Sequence, residues 1–596
     1  MQLQRTYFFC PTESIEEFEA FARKAKEFGA THIYVSDLPK SIWQWNLDRK
    51  DPYPNWGMES SAIFKVVVPE QLKEFLPVDY AAGNMEILKR RGAVLEQLGL
   101  KAAFHACEPG WLPEAVYRAY PHWRGVRCDH PRRATKAYFS PCIDQPEALE
   151  VYRSAIEALC RNVPIEHFNF KTNDAGGGLC WSLGSYAGMN GPEHCKHRTM
   201  AQRVTGFLDA VQNGAARAGL TASAAFTMGF KEEEIQAILP NLKERQFIVG
   251  KDVHGKKIES NIGFFNNYYS SCTYPVIGIP QLMRFLEELE GAYEQQTPLK
   301  RISILPTESE ECFEILRQFE KEPTHGIVDR YTLLNRVAGK WVGEDLAHLL
   351  VDCWDHIYRG VETMRPIDNG GNVVLLGCVS QRWINRPFVA FPMELKPEEK
   401  DYYREFQFQA NSEEEAADLM NLQGQEHING YSGTWLATKL MEKSVGNYRK
   451  AMEIIEELLG KVPDVPYAQR LRAVHTGIQA LICFVKNAIH AACFQEILDR
   501  TDYSAVPQDS TRVWTDQGDP RLKELQNIIR AEMDNALELA RILETSQTPV
   551  LYLAKSSEKE DSFTLGPNLA EQLKKKVRIM QDHWLDLNRL YTRFNN

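Results

Sequence analysis

The stretch "HFNFKTNDAGGGLCW", His167–Trp181, places an apolar run directly before a carboxylate, Asp174, and three consecutive glycines, Gly176–Gly178. A short apolar run that ends in turn-forming residues is typical of a buried β-strand followed by a loop. The same alternation of a short apolar run and an amphipathic helical pattern recurs on both sides of it. The stretch is therefore interpreted as one unit of a repeated β–α fold.

Eight such runs occur within roughly the first 380 residues. The helical patterns between them are well delimited in places: "SIEEFEAFARKAKEFGA" opens with a capping box at Ser14 and ends at Gly29. Eight β–α units predict a (β/α)₈ TIM-like barrel, with a doubly wound sheet as the alternative. The runs are Arg5–Cys10, Thr31–Asp37, Lys101–Pro109, His167–Asp174, Leu220–Thr227, Arg245–Val253, Arg301–Thr307 and Asn372–Gly377.

The pattern changes after about residue 395. Long stretches such as "SVGNYRKAMEIIEELLG" and "PRLKELQNIIRAEMDNALELARILE" repeat apolar residues at three- and four-residue spacing, which is typical of packed helices. The sequence therefore predicts two domains, a (β/α)₈ catalytic barrel over 1–395 and an all-α C-terminal domain over 396–596.

Composition narrows the class of partner. The chain has 596 residues and a net charge of −11, which argues against nucleic acid or an anionic membrane as the main partner. No run approaches the roughly 20 apolar residues of a membrane helix. The N-terminus shows no basic, apolar leader, and the thirteen cysteines include no CxxC pair, so we expect reduced thiols and a cytoplasmic location. A homo-oligomer is left open.

In a barrel, catalytic groups collect on the loops that follow the carboxyl ends of the strands. Acidic residues follow four of the predicted strands: Glu108 the third, Asp174 the fourth, Asp252 the sixth and Glu308 the seventh. Cleavage of a glycosidic bond usually needs one carboxylic acid to protonate the leaving oxygen and a second carboxylate as nucleophile or base. These four residues are the candidate catalytic groups.

The same loops are rich in aromatic residues, whose flat faces suit the apolar faces of sugar rings. Polar and basic residues lie among them, and guanidinium groups can pair with a substrate carboxylate. The predicted substrate-binding residues are Trp43, Trp45, Trp56, Trp111, Lys171, Asn173, Trp181, His254, Arg382, Trp383 and Arg386. The glycines after Asp174 would let a sugar approach the backbone closely.

An acid after strand four with carboxylates after strands six and seven resembles the α-glucuronidases, and an acid after strand four is also similar to the β-hexosaminidases. The first family also carries a helical C-terminal domain. The resemblance implies Asp174 as proton donor and Glu308 or Asp252 as nucleophile or base. The chain departs from barrel glycosidases with Asn-Glu after strand four, because it has Asn173-Asp174. Lys171 would lower the pKa of Asp174, so Glu108 is the alternative donor.

We therefore expect a glycosidase without an organic cofactor that acts on a small oligosaccharide or glycoside, with a uronic acid or N-acetylhexosamine among the candidate sugars. The length of its loops favours exo action. The alternatives are a non-catalytic carbohydrate-binding barrel and a metal-dependent sugar isomerase or lyase. "EHCKHR" and "FHAC" contain metal-ligating residue types, His194, Cys195 and His197 in the first, His105 and Cys107 in the second. Neither an HxH nor an HExxH motif accompanies them, so no bound metal is expected.

Overall fold

The computed structural model divides the chain into two compact units. The first comprises Met1–Asn267 and Glu287–Ser309, and the second comprises Tyr268–Leu286 and Glu310–Asn596. This division does not coincide with the boundary near residue 395, which stays a prediction about domains. The structure describes residues 5–9, 12, 14–38, 62–128, 137–172, 177–183, 194–263, 273–367, 378–379, 381–407, 430–463, 466–501, 514–515, 519–562, 564–590 and 592–593.

A curled sheet of eight parallel strands forms the centre of the first unit. The strands are β1 (Arg5–Phe9), β2 (His32–Tyr34), β3 (Lys101–Cys107), β6 (Ile165–Lys171), β7 (Ser223–Met228), β8 (Gln246–Ile248), β9 (Glu259–Gly263) and β10 (Leu299–Ser303). Their spatial order is β8-β7-β6-β3-β2-β1-β10-β9. The two strands at the ends of this order are linked through Gly250, whose carbonyl accepts hydrogen bonds from the backbone N–H groups of Ile258 and Glu259.

Helices connect most of these strands, and a small antiparallel hairpin of β4 (Arg124–Arg127) and β5 (Phe139–Pro141) lies between β3 and β6. Aromatic side chains pack the sheet against the helices: Phe170 and Phe226 both contact Phe207. The fold is therefore an α/β barrel, as predicted. The helices are α1 (Ile15–Glu27), α2 (Val78–Leu98), α3 (Glu114–Ala119), α4 (Pro146–Asn162), α5 (Met200–Arg217), α6 (Glu232–Ile238) and α7 (Leu282–Glu294).

Strand β9 was missed from the sequence. Its residues "ESNIG" include three polar residues and a single large apolar one, so they do not look like a buried strand. Glu259 can be buried there because it forms an ion pair with Arg301 inside the barrel. The strand also follows β8 without an intervening helix. The predicted seventh run therefore forms β10, which is the eighth strand of the barrel sheet in chain order because β4 and β5 do not belong to that sheet. The predicted strand Asn372–Gly377 lies outside the described residues.

Helices make up most of the second unit. They are α8 (Ser309–Lys321), α9 (Ile327–Val342), α10 (Ala347–Met364), α11 (Pro397–Arg404), α12 (Gly430–Lys461), α13 (Ala468–Asp499), α14 (Pro520–Thr545), α15 (Leu569–Asp582) and α16 (Leu587–Leu590), with a ribbon of β11 (Trp514–Thr515) and β12 (Thr592–Arg593). The longest, α12 and α13, pack against each other and against their neighbours. By length and composition α13 could cross a membrane, but 72% of its apolar window is buried inside the protein, as in an ordinary core helix.

Candidate active site

The barrel interior is filled by polar and aromatic side chains. Arg301 on β10 and Glu259 on β9 are buried and form an ion pair at 2.9 Å. A cavity of about 10 Å³ beside Tyr34, His105 and Arg301 has room for about one water molecule. Burial, aided by nearby cations, lowers the pKa of His105 to about 3, so this imidazole is neutral. Among the described residues the interior leaves no space for a sugar ring, and in barrels of this kind ligands bind at the carboxyl ends of the strands.

Glu108 directly follows β3 and is completely buried. Its Oε1 accepts a hydrogen bond from the backbone N of Ile63 at 2.6 Å, and its Oε2 accepts from the backbone N of Gly110 at 2.6 Å and the hydroxyl of Tyr152 at 3.0 Å. Burial raises the pKa of Glu108 to about 7, against these hydrogen bonds. Both carboxylate oxygens of Glu108 already accept hydrogen bonds from other groups of the protein. This geometry favours a structural role for Glu108 over its predicted alternative role as proton donor. The catalytic role itself stays a prediction.

Glu308 is buried in the 3₁₀ turn Pro306–Glu308, which follows β10. Because β9 precedes β10, Glu308 follows the eighth strand of the barrel sheet, whereas the sequence analysis placed it after the seventh. The missed strand is the reason for this error. Glu308 still follows the carboxyl end of a barrel strand, and this strand, β10, pairs with β1 in the sheet. The correspondence with enzymes that carry a nucleophile after strand seven is lost, while its catalytic role stays a prediction.

Asp252 lies in the turn between β8 and β9 and does not end a strand, since β8 stops at Ile248. Its Oδ1 accepts hydrogen bonds from the backbone N of His254 at 2.9 Å and of Lys256 at 3.0 Å. Such bonds are typical of an aspartate that stabilises a turn. The His254 side chain is exposed in this turn. The predicted roles of Asp252 in catalysis and of His254 in substrate binding stay predictions.

Lys171 is the last residue of β6 and is half-buried. Two residues before it, Asn169 points into the barrel and donates toward the hydroxyl of Tyr34 at 3.5 Å. Because side chains alternate along a strand, Lys171 continues this inward series at the mouth of the barrel. Its charge contributes to the lowered pKa of His105, after burial and Arg301. Lys171 therefore places a positive charge near the carboxyl end of β6.

The two described tryptophans of the first unit that were predicted to bind substrate are engaged in packing. Trp111 is buried with its ring 4.1 Å from that of Tyr138, edge to face. Trp181 is half-buried, and its Nε1 donates to Cys195 Sγ at 3.3 Å. Their predicted contact with substrate stays a prediction. Asn173, Asp174, Trp43, Trp45 and Trp56 lie outside the described residues.

Gly177 and Gly178 serve close packing within the protein. Gly177 bridges to Gly110, and a Cβ at Gly177 would lie 3.2 Å from the backbone N of Glu108. A Cβ at Gly178 would lie only 2.7 Å from Val126 Cγ1. At both positions the protein itself occupies the space that the absent side chain leaves. The expectation that these two glycines admit a sugar is therefore corrected.

Arg382, Trp383 and Arg386 are buried in the second unit. The Arg382 guanidinium binds Glu560 Oε1 at 2.7 Å and lies 4.6 Å above the ring of Phe406. The sequence predicted an open loop after a barrel strand for these three residues. The structure corrects this environment, because charge pairing and apolar packing hold them inside the second unit.

A cluster that the sequence did not assemble lies beside the loop after β6. Cys142, Cys180 and Cys195 are buried together with Val126, and Trp181 packs on them. Cys195 was noted from the sequence as a metal-ligating residue type, but Cys142 precedes α4 and is distant from Cys180 and Cys195 along the chain. Only the barrel topology brings the turn after β5 next to the loop after β6.

The fold has a counterpart among solved structures. No protein-family model matches the sequence, and no curated protein matches it. A mutant of the Thermobaculum terrenum O-GlcNAc hydrolase aligns at 9% identity over 98% of this chain and 96% of its own, with a TM-score of 0.33. The Flavobacterium johnsoniae chitobiase aligns at 11% identity over 96% and 78%, with a TM-score of 0.31. Both TM-scores are too low to establish a common fold.

One likeness is strong enough to bear on the fold. The chain is similar to a GH138 enzyme targeting the pectin rhamnogalacturonan II, at 10% identity over 98% of this chain and 68% of that chain, with a TM-score of 0.54. At this identity the likeness concerns the fold alone. The chain shares the fold of this glycoside hydrolase.

Proposed function

We propose that this protein is a glycoside hydrolase that cleaves a glycosidic bond of a small oligosaccharide or glycoside. The observation that carries the proposal is the fold shared with a GH138 enzyme over 98% of this chain. Acidic residues follow several strands of the described barrel, as this chemistry requires. We further propose that the enzyme removes single sugars from chain ends and works in the cytoplasm.

Asp174 and Glu308 are the proposed pair of catalytic carboxylates. Asp174 follows β6, the fourth strand along the chain in the sheet, by three residues, and Glu308 follows β10 by five residues. The carboxyl ends of all strands of a parallel barrel lie at one edge, which supports their convergence. One would protonate the leaving oxygen, and the other would act as nucleophile or base. Glu108 is set aside because its two oxygens are occupied.

Lys171 supports a more specific proposal about the sugar. Its inward position at the end of β6 places an ammonium group at the barrel mouth, three residues before Asp174. A carboxylate on the substrate would pair with this cation. We therefore place a uronic acid glycoside first among the candidate substrates, ahead of N-acetylhexosaminides and neutral glycosides.

The test is a panel of nitrophenyl glycosides that covers uronic acids, N-acetylhexosamines and neutral sugars in both anomeric forms. We expect release of nitrophenol from at least one, with a uronide as the best substrate. Lys171→Met should raise KM for the uronide. The matched variant Lys101→Met should not, because Lys101 is the first residue of β3 and lies at the end of the barrel opposite the carboxyl ends of the strands. Inertness across the whole panel would contradict the proposal, and sugar binding without turnover would indicate the non-catalytic alternative.

A further inference from the structure

Three metal-ligating side chains of the first unit, Cys142, His194 and Cys195, converge between the turn after β5 and the turns before α5, and Cys180 lies beside them. Cys142 follows β5, Cys180 lies in the loop after β6, and His194 and Cys195 lie in the turns before α5. The three cysteines are buried, and the histidine covers them from the exposed side. Cys180 follows Asp174 closely in the same loop, but none of these four side chains has a role in the function proposed above.

The distances within the cluster fit a metal ion. Cys142 Sγ, a ring nitrogen of His194 and Cys195 Sγ all lie within 4.8 Å of one another. Cys142 Sγ is 3.6 Å from His194 Nε2. In a tetrahedral zinc site, bonds of about 2.3 Å to sulfur and about 2.0 Å to nitrogen place these two ligands about 3.5 Å apart. The pair therefore already has the separation that a shared zinc ion requires.

Cys180 is the candidate for the fourth ligand. Its thiol hydrogen-bonds to Cys142, and a movement of its side chain would bring its Sγ to the three ligand atoms that already lie within 4.8 Å of one another. It is also buried in the same apolar cluster as Cys142 and Cys195. A set of three cysteines and one histidine is a common ligand set of structural zinc sites.

Contacts around the cluster hold these ligands in place. Trp181 Nε1 donates to Cys195 Sγ at 3.3 Å, which fixes the position of this sulfur in the cluster. Trp181 has a positive φ of 65°, a conformation that costs energy in a bulky residue. The guanidinium of Arg203 donates to the carbonyl of Cys195 and pairs with buried Asp144 at 2.7 Å, two residues after Cys142. This ion pair joins the two segments that carry the ligands.

We propose that Cys142, Cys180, His194 and Cys195 form a structural site for a thiophilic divalent metal, best matched by zinc. Thiolate ligands in a tetrahedral set with one imidazole select zinc over magnesium or calcium. Four protein ligands leave no open position for substrate, so the metal stabilises structure and takes no part in the chemical step. It joins the loop that carries Cys180 to the turn after β5.

The test measures metal in the full-length protein purified without chelators. Elemental analysis should find about one zinc per chain. Cys142→Ala, Cys180→Ala and Cys195→Ala should each lose most of it. The matched variant Cys160→Ala should retain it, because Cys160 is buried in α4 away from the cluster. Removal of zinc and titration with Co²⁺ should produce an intense thiolate-to-cobalt absorption band, which provides a readout on wild-type protein that does not depend on how well the variants fold.

Three results would overturn the inference. One is wild-type protein that contains no zinc and shows no cobalt–thiolate band. The second is a disulfide between Cys142 and Cys180, detected by mass spectrometry in freshly purified protein that lacks metal. A zinc content unchanged by both Cys142→Ala and Cys195→Ala would also contradict it, since the metal would then lie elsewhere.

Discussion

Two glutamates are completely buried, Glu108 in the barrel unit and Glu532 in the helical unit, and they differ in the charge of the groups that bind them. Among the described residues, Glu108 accepts hydrogen bonds from uncharged groups alone, two backbone N–H groups and a tyrosine hydroxyl. Glu532 Oε1 binds Lys576 Nζ at 2.5 Å and Asn487 Nδ2 at 2.7 Å, while its Oε2 lies 2.7 Å from His490 Nδ1. Burial is the same at both sites, and the charge of the partners differs.

The pKa of each carboxyl follows from this difference. Burial raises the pKa of Glu108 to about 7 because its neutral donors and the smaller effect of the nearby Lys65 charge do not compensate the lost hydration. Burial opposes the ionisation of Glu532 too, but Lys576 and His490 outweigh it and hold the pKa of Glu532 below its usual value. A shifted pKa in a buried glutamate therefore reports its partners. By itself it does not identify a catalytic group.

The largest effect is expected at Lys576. Lys576→Met should leave the Glu532 carboxylate buried with its main cation removed, and the free energy of unfolding should fall by about 3–5 kcal/mol. The matched variant is Lys574→Met on the same helix, α15, whose ammonium pairs with Glu544 at the surface. Its cost should stay below about 1 kcal/mol. Urea denaturation of both variants measures the difference, and equal losses would refute the importance of the buried pair.

The pH dependence of stability should have opposite signs at the two glutamates. Glu108 has a raised pKa, so its contribution is complete below about pH 4.5 and is lost as the pH rises through about 7. The loss should reach about 3 kcal/mol, at roughly 1.4 kcal/mol per pKa unit. Glu532 has a lowered pKa, so its contribution is lost as the pH falls below the usual glutamate range.

Denaturation across this pH range, compared between the wild type and the variants Glu108→Gln and Glu532→Gln, isolates each contribution. The difference between wild type and Glu108→Gln should shrink with rising pH, and that for Glu532→Gln should shrink with falling pH. The same slope for both variants would mean that the charge of the partners does not control these groups.

The smallest effect concerns the only side-chain donor to Glu108 among the described residues, Tyr152. Tyr152→Phe should lower the free energy of unfolding by about 1 kcal/mol, since one hydrogen bond is lost while the ring still packs against Phe64 and Phe207. This bond lowers the pKa of Glu108, so without it the pH range in which Glu108 loses its contribution to stability should move to higher pH. A range that moves to lower pH would show that the tyrosine does not act as the donor.

The sequence was sufficient for the fold class because seven of the eight strands are short apolar runs between amphipathic helices. Strand β9 escaped because its apolar content is low: Glu259 is buried through its ion pair with Arg301, a long-range contact that periodicity does not report. One missed strand then shifted the number of every later strand. The assignment of Glu308 to strand seven failed for that reason alone.

The candidate site was less accessible to sequence reasoning. Acidic residues after strands could be found, but whether a carboxyl is free or enclosed depends on distant partners, as at Glu108 with Ile63 and Tyr152. Gly177 and Gly178 looked like a loop open to substrate, while the structure uses them for close backbone contact. The cysteine cluster required distant segments of the chain to be brought together by the barrel.

The central claim, that Asp174 and Glu308 carry glycosidic cleavage while Glu108 is structural, is tested most directly by kcat/KM on the best nitrophenyl glycoside. Asp174→Asn and Glu308→Gln should each lower kcat/KM by at least about 100-fold, because each removes a group that acts in the transition state. Glu108→Gln should lower stability and leave kcat/KM of the folded protein within about 3-fold. Full activity in Asp174→Asn and Glu308→Gln, or its loss in Glu108→Gln alone, would contradict the account.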